Sequence, residues 1–299
     1  MADPRFTGSG VAIVTPFDDQ GVNERVLAEL VEWHLAAGTD AIVVCGSTGE
    51  AATMSAAEQR RTCEVAVTAA AGRLPVIAGC GGSDTRQVAA LGAQARAAGA
   101  DAVLVSAPPY NKPPQRGLIA HFRAVLDAAD LPLVVYNVPG RTSVNLLPAT
   151  IAELAEDPRV IAVKEACGDI SQIAELARLV AGRVALWSGN DDQIVPILAL
   201  GGTGVISVLA NVAPAETSRM VKRFLAGHTR DAAELQLRYL PLVQALFAEP
   251  NPIPVKQAVG MLGFDVGPLR LPLLASEPGT LERLRRALAE AGLLARSVA

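Results

Sequence analysis

Short apolar runs recur along the chain at a nearly regular interval: Val11–Thr15, Ala41–Cys45, Val76–Gly79, Ala102–Ser106, Leu133–Asn137, Val160–Lys164, Val184–Trp187 and Val205–Val208. They are rich in Val, Ile and Leu and lack the apolar–polar alternation of a half-wetted strand. Continuous apolar strands of this kind suit a parallel sheet covered on its outer face. Between them the pattern changes to the helical period. After Asn23, an expected N-cap, Val26, Leu27, Leu30 and Val31 share one helix face. Ser55 and Glu58 have capping-box spacing before an Ala-rich helix, and Ser83-Asp84 opens another over 87–98. Ala37-Gly38, Ala98-Gly99 and Ala181-Gly182 read as helix stops just before the next strand. Strand, helix, glycine stop, strand is βα grammar, and eight strands favour a closed barrel over an open sheet. Beyond about residue 215 the pattern is helical only, with helices expected over 230–247, 254–262 and 280–295. The predicted architecture is α/β: a (β/α)₈ TIM barrel over residues 1–224 with a C-terminal helical appendage over 225–299.

A chain of 299 residues, 51% hydrophobic and 19% charged, can bury the core such a barrel needs. Its net charge of −4 argues against a nucleic-acid surface. No apolar run approaches membrane-spanning length, and the first residues lack a basic-then-apolar leader, so no membrane association and a cytoplasmic location are expected. The four cysteines, Cys45, Cys63, Cys80 and Cys167, form no Cys-x-x-Cys pair and are expected as reduced, mostly buried thiols. His34, His121 and His228 lie in or near helical stretches without a second metal ligand at useful spacing, so they are read as structural, with no metal site. Only four of the 26 basic residues are lysines (Lys112, Lys164, Lys222 and Lys256), which makes each worth separate attention.

In α/β barrels the working residues sit at the C-terminal ends of strands. The sixth run ends Val163-Lys164-Glu165. A lysine closing an apolar strand has two readings. Desolvation disfavours its ammonium form, and a fully buried lysine titrates roughly 3–5 pH units lower than a free one, giving the neutral amine that attacks a ketone. Alternatively the ammonium meets a carboxylate at the rim, Glu165 or Glu50. The fifth run ends Tyr136-Asn137-Val138-Pro139-Gly140-Arg141-Thr142. Tyr136 is a proton shuttle or a core aromatic, and Arg141 is a fork for a carboxylate or a solvated loop cation. After the second run, Gly46-Ser47-Thr48-Gly49-Glu50 leads into an expected helix; its N–H groups suit an anion, although a capped turn is the plainer reading. No nucleotide-phosphate motif is present. After the fourth run, Pro108-Pro109-Tyr110-Asn111-Lys112-Pro113-Pro114 is a proline-stiffened loop that fixes the direction of Tyr110.

Together with Gly10–Phe17, Gly189–Asp191, Gly204–Ser207 and Asn251-Pro252-Ile253-Pro254-Val255-Lys256, these segments resemble the pyruvate-dependent class I aldolase superfamily typified by dihydrodipicolinate synthase and N-acetylneuraminate lyase. The resemblance covers almost the whole chain and is closest to the synthase family. It implies a lyase that needs neither cofactor nor metal and works as a homotetramer on pyruvate and a carboxylate-bearing aldehyde. It assigns Lys164 as the Schiff-base lysine and Tyr136 as the general acid/base. Thr48 and the backbone of Ile206 would hold pyruvate, and Arg141 would hold the carboxylate of aspartate semialdehyde. Ser47 and Tyr110 would complete a proton relay, Tyr110 by reaching into a neighbouring subunit. The alternatives kept are a Schiff-base lyase of 2-keto-3-deoxy sugar acids and a non-catalytic 2-oxo-acid sensor. Ser47 stands where the synthases usually have threonine. The Ala51–Ala57 stretch lacks the polar groups of lysine-inhibited relatives, so weak or absent lysine feedback is expected.

Overall fold

The first strand lies three residues earlier than its apolar run suggests, at Gly8–Ala12 rather than Val11–Thr15, and the cause is packing inside the barrel. In the computed structural model, which describes residues 7–294, Gly10 lies beneath the indole of Trp187: a Cβ there would sit 2.9 Å from Trp187 Cζ3. Gly8 and Gly204 approach so closely that a Cβ on Gly204 would sit 2.0 Å from the Gly8 carbonyl oxygen. The strand begins in glycine because bulk is excluded there, and a search for apolar runs passes over it.

Eight parallel strands close the barrel: β1 Gly8–Ala12, β2 Ala41–Val44, β3 Val76–Gly79, β4 Ala102–Ser106, β5 Leu133–Asn137, β6 Val160–Glu165, β7 Ala185–Ser188 and β8 Gly204–Ser207. Neighbours in sequence are neighbours in the sheet, and β8 pairs with β1 to complete it. Outside run α1 Glu24–Ala36, α2 Ala56–Ala70, α3 Thr85–Ala97, α4 Gln115–Ala129, α5 Pro139–Thr142, α6 Pro148–Leu154, α7 Ile170–Val180, α8 Ile194–Ala199 and α9 Pro214–Leu225. Then come α10 Thr229–Leu246, α11 Ile253–Met261 and α12 Pro278–Glu290, each within two residues of the expected start; position 295, the expected end of the last, lies outside the described residues. The expected caps form: the Asn23 side chain accepts from Val26 N, and Ser55 and Glu58 make a reciprocal capping box.

Both strand faces are buried, for different reasons. Ala41, Val43, Ile77, Leu104, Val134, Ala162, Trp187 and Ile206 fill the barrel interior. Their neighbours Ile42, Val44, Val135 and Val163 point out into the larger layer against the helices. Side chains alternate faces along a strand, so the inward set of β5 continues from Val134 to Tyr136 and that of β6 from Ala162 to Lys164. Tyr136 is paired directly with Lys164 in the ladder, and Asn137 with Glu165. His34 and His121 sit in the helix layer with Nδ1 against Thr39 Oγ1 (3.0 Å) and Thr85 Oγ1 (2.9 Å), and burial pulls them down to about 3 and about 4. All four cysteines are free thiols, and three are buried. No described helix is long and apolar enough to cross a membrane.

Candidate active site

The inward parity of β5 and β6 delivers Tyr136 and Lys164 to the floor of a cleft at the C-terminal mouth of the barrel. The cleft encloses about 520 Å³ of empty space open to solvent. Lys164, Tyr136, Ser47, Thr48 and Arg141 line it, together with Val138, Gly189, Asn190, Phe247 and Asn251. Ile206 is fully buried in the barrel interior, outside the cleft-lining set. Tyr110 is 89% exposed and takes no part in the cleft of its own chain.

Lys164 is 5% exposed, and its amine makes no ion pair or hydrogen bond with any described residue. Its Nζ lies 4.3 Å from the centre of the Tyr136 ring. Burial lowers its pKa to about 7; the Asp191 carboxylate opposes that fall, and the Arg141 guanidinium adds to it. Neither carboxylate proposed from sequence as a partner reaches it. Glu165 faces outward, where both its oxygens accept from Asn137 Nδ2 (3.1 Å each) and Oε1 accepts from Cys167 N. Glu50 accepts from Lys256 Nζ at 2.7 Å in a fully buried ion pair and from the backbone N of Arg270 at 2.9 Å. The rim-ion-pair reading of Lys164 therefore finds neither of its proposed partners within reach.

Room for the lysine comes from Gly189 at the end of β7, where a Cβ would sit 3.2 Å from Lys164 Cε. Two residues on, the buried Asp191 accepts from Ser207 Oγ (2.6 Å), Val208 N (3.0 Å) and Leu209 N (2.8 Å), fixing the chain as it leaves β8. Burial pushes the Tyr136 phenol up to about 12, with Arg141 opposing and Glu165 reinforcing. At neutral pH it is therefore a proton donor, and the phenolate left after donation is a strong base.

The turn after β2 differs from the expected helix start. A three-residue 3₁₀ segment, Ala51–Thr53, follows it, and α2 begins only after Ser55. Its anion-binding capacity thus comes from the turn itself. Gly49 N and Glu50 N bond back to Gly46 O and Ser47 O, whereas the N–H groups of Ser47 and Thr48 meet no acceptor among the described residues. Thr15 Oγ1 donates to Gly49 O at 2.7 Å. Glu50 itself is left-handed (φ 55°), a conformation retained by Lys256 on α11 and by the backbone N of Arg270 in the segment that follows it. Arg141, carried on α5, is oriented by its Nη2 donating to the Asn251 carbonyl at 2.7 Å.

Asn251 is the site residue that the chain pattern did not single out, although its Asn-Pro-Ile-Pro segment is distinctive. Asn190, Asp191 and Gly189 were visible only as a motif without assigned roles. Among the described residues no three His, Cys, Asp or Glu side chains converge as a metal site requires.

The chain as a whole is similar to known proteins. The Dihydrodipicolinate synthetase family matches residues 5–291. The chain belongs to that family. It is 51% identical over 292 residues to the 4-hydroxy-tetrahydrodipicolinate synthase of Thermoanaerobacter sp. (strain X514), covering 97% of this chain and 98% of the relative. It is 49% identical over 290 residues to the enzyme of that name from Clostridium tetani, covering 97% and 99%. The crystal structure of dihydrodipicolinate synthase from Aquifex aeolicus superposes with a TM-score of 0.95 at 41% identity, covering 98% of this chain and all of that one. The (β/α)₈ barrel of this dihydrodipicolinate synthetase family member, its lyase character and its class I aldolase type agree with the reading of the sequence.

Proposed function

We propose that this protein condenses pyruvate with L-aspartate 4-semialdehyde to give 4-hydroxy-tetrahydrodipicolinate, with Lys164 as the covalent base. The observation that carries the reading is a buried lysine without an ionic partner, facing a protonated tyrosine on the same rung of the barrel. The neutral amine attacks the pyruvate ketone. Tyr136 donates to the carbinolamine hydroxyl as water leaves, and an iminium forms. The iminium withdraws electrons, so the Tyr136 phenolate takes a methyl proton, and the resulting enamine attacks the aldehyde carbon, whose oxygen takes up a proton and becomes the 4-hydroxyl. The amine of the adduct then displaces Lys164 and closes the ring. No metal or organic cofactor is required, because the imine itself is the electron sink.

Thr48 and the free N–H groups beside it hold the pyruvate carboxylate, and Arg141 holds the carboxylate of the semialdehyde. The backbone of Ile206 borders the pyruvate end. Ser47 relays protons from Tyr136 toward Tyr110 of a neighbouring subunit. The exposure of Tyr110 on a loop tied by Asn111 Nδ2 to Ser83 O (2.7 Å) and by Ser83 Oγ to Pro109 O (3.0 Å) supports that role, and with it a homotetramer. The cytoplasm is the proposed location. The proposed division is a barrel unit over 1–224 and a C-terminal helical region over 225–299, whose described part lends Phe247 and Asn251 to the cleft. Cleavage of a 2-keto-3-deoxy sugar acid is the weaker reading, given synthase relatives at 51% and 49% identity.

Reductive trapping with pyruvate and borohydride, followed by peptide mass mapping, tests the covalent step. The pyruvate adduct is expected on Lys164, with Tyr136→Phe slowing turnover by about 10²–10⁴-fold. An unmodified Lys164 in folded, pyruvate-saturated protein refutes the mechanism. No product from pyruvate plus aspartate semialdehyde refutes the substrate pair.

A further inference from the structure

Thr48 reaches the cleft from the turn after β2 and Arg141 from α5 after β5, and one residue touches both. Asn251 stands between α10 and α11, 7% exposed. Its side-chain Nδ2 donates to Thr48 Oγ1 at 3.0 Å, while its main-chain oxygen accepts from Arg141 Nη2 at 2.7 Å. The division of labour between side chain and backbone gives the two contacts separate consequences. A threonine hydroxyl carries one proton and two lone pairs, and a neighbour decides which of them faces the cleft. With Asn251 donating, a lone pair of Thr48 is occupied and its proton remains free to donate. A carboxylate only accepts, so this is the polarity a keto-acid carboxylate needs. The Asn251 Oδ1 is buried with no partner among the described residues.

We infer that Asn251 is a positioning residue that sets the hydrogen-bond polarity of Thr48, making the pyruvate end of the cleft selective for a carboxylate, while its backbone independently orients Arg141. The inference rests on the reading that Thr48 holds the pyruvate carboxylate. It makes the two substrates respond differently to changes at one residue. Asn251→Asp keeps the shape but replaces the donor by an acceptor: Thr48 then donates to residue 251 and turns a lone pair toward pyruvate. Asn251→Ala removes the donor and leaves the Thr48 hydroxyl free to rotate. A purely packing role for Asn251 requires the opposite order of damage, because Asp fills the space and Ala empties it.

The test is steady-state kinetics on wild type, Asn251→Ala, Asn251→Asp, Thr48→Val and the Thr48→Val/Asn251→Asp double variant, varying each substrate in turn. The expected KM for pyruvate rises a few-fold in Asn251→Ala and about 10- to 100-fold in Asn251→Asp, the range for losing a hydrogen bond to a charged group. The KM for the semialdehyde in Asn251→Ala stays within about threefold of wild type, because the carbonyl that holds Arg141 remains. The double variant is no worse for pyruvate than Thr48→Val alone, since the effect passes through the hydroxyl. Equal rises for both substrates in Asn251→Ala, greater damage from Ala than from Asp, or multiplying effects in the double variant would each overturn the inference. If Asn251→Asp does not fold, Asn251→Ala against Thr48→Val/Asn251→Ala makes the same cycle. Failure of the wild type to trap pyruvate on Lys164 would instead overturn the proposed function.

Discussion

The displaced pKa of Lys164 makes a quantitative demand on both catalysis and stability. An ordinary lysine at 10.5 leaves roughly one amine in 3,000 neutral at pH 7, whereas at about 7 roughly half are neutral, a gain on the order of 10³ in nucleophile concentration. The same displacement is a cost to folding. Because the folded value lies below the unfolded one, the unfolded chain binds an extra proton between about pH 7 and 10.5. Stability therefore rises with pH across that window, and the penalty is complete below it. At 1.36 kcal/mol per pH unit the full penalty is on the order of 5 kcal/mol. Lys164→Met, similar in length and without charge, removes it. Urea unfolding midpoints measured from pH 6 to 10 are expected to place Lys164→Met above wild type by a few kcal/mol at pH 6, with the gap closing as pH rises. In the wild type, the rate of pyruvate trapping at limiting pyruvate should climb through a single ionisation near 7. A trapping profile that rises only above pH 9, with a stability gap that ignores pH, would show that the amine is solvated and would refute the argument.

Arg141→Ala should raise the KM for the semialdehyde about 10- to 100-fold, as expected for losing a charge-assisted contact, while the rate of pyruvate trapping stays near that of wild type. Lys256→Met leaves Glu50 buried without its cation; chemical denaturation should show a loss of about 3–5 kcal/mol, accompanied by weaker pyruvate binding because Glu50 closes the Gly46–Glu50 turn. Gly189→Ala should slow trapping at saturating pyruvate, since the new methyl carbon would sit 2.7 Å from Ala166 Cβ, 3.1 Å from Glu165 O and 3.2 Å from Lys164 Cε and so displace the end of β6 that carries the lysine; an unchanged rate would remove the packing argument. Lysine added up to millimolar concentration should leave initial rates nearly unchanged, and inhibition in the micromolar range would contradict the depleted donor set of Ala51–Ala57.

Much of the barrel and its chemistry was legible in the chain because it depends on short-range order. Strand periodicity places Ala162 and Lys164 on one face and Glu165 on the other, although at the strand's end the sequence reading still left Glu165 open as a partner for the lysine. Capping at Asn23 and Ser55 is equally local. The first strand was displaced because its glycines are required by Asp40 beside Gly8 and Trp187 beside Gly10, contacts that no local pattern records. Pairing across hundreds of residues was likewise invisible: Glu50 is withdrawn from Lys164 by Lys256, 206 positions away, and Thr48 is oriented by Asn251, 203 positions away. The sequence by itself determined which residues can ionise and which of them point into the barrel. Only barrel closure and the return of the C-terminal helices decided which lysine lacks an ionic partner and which groups Thr48 and Arg141 meet at the cleft, because those outcomes depend on desolvation and on partners that come together only when the whole chain is folded.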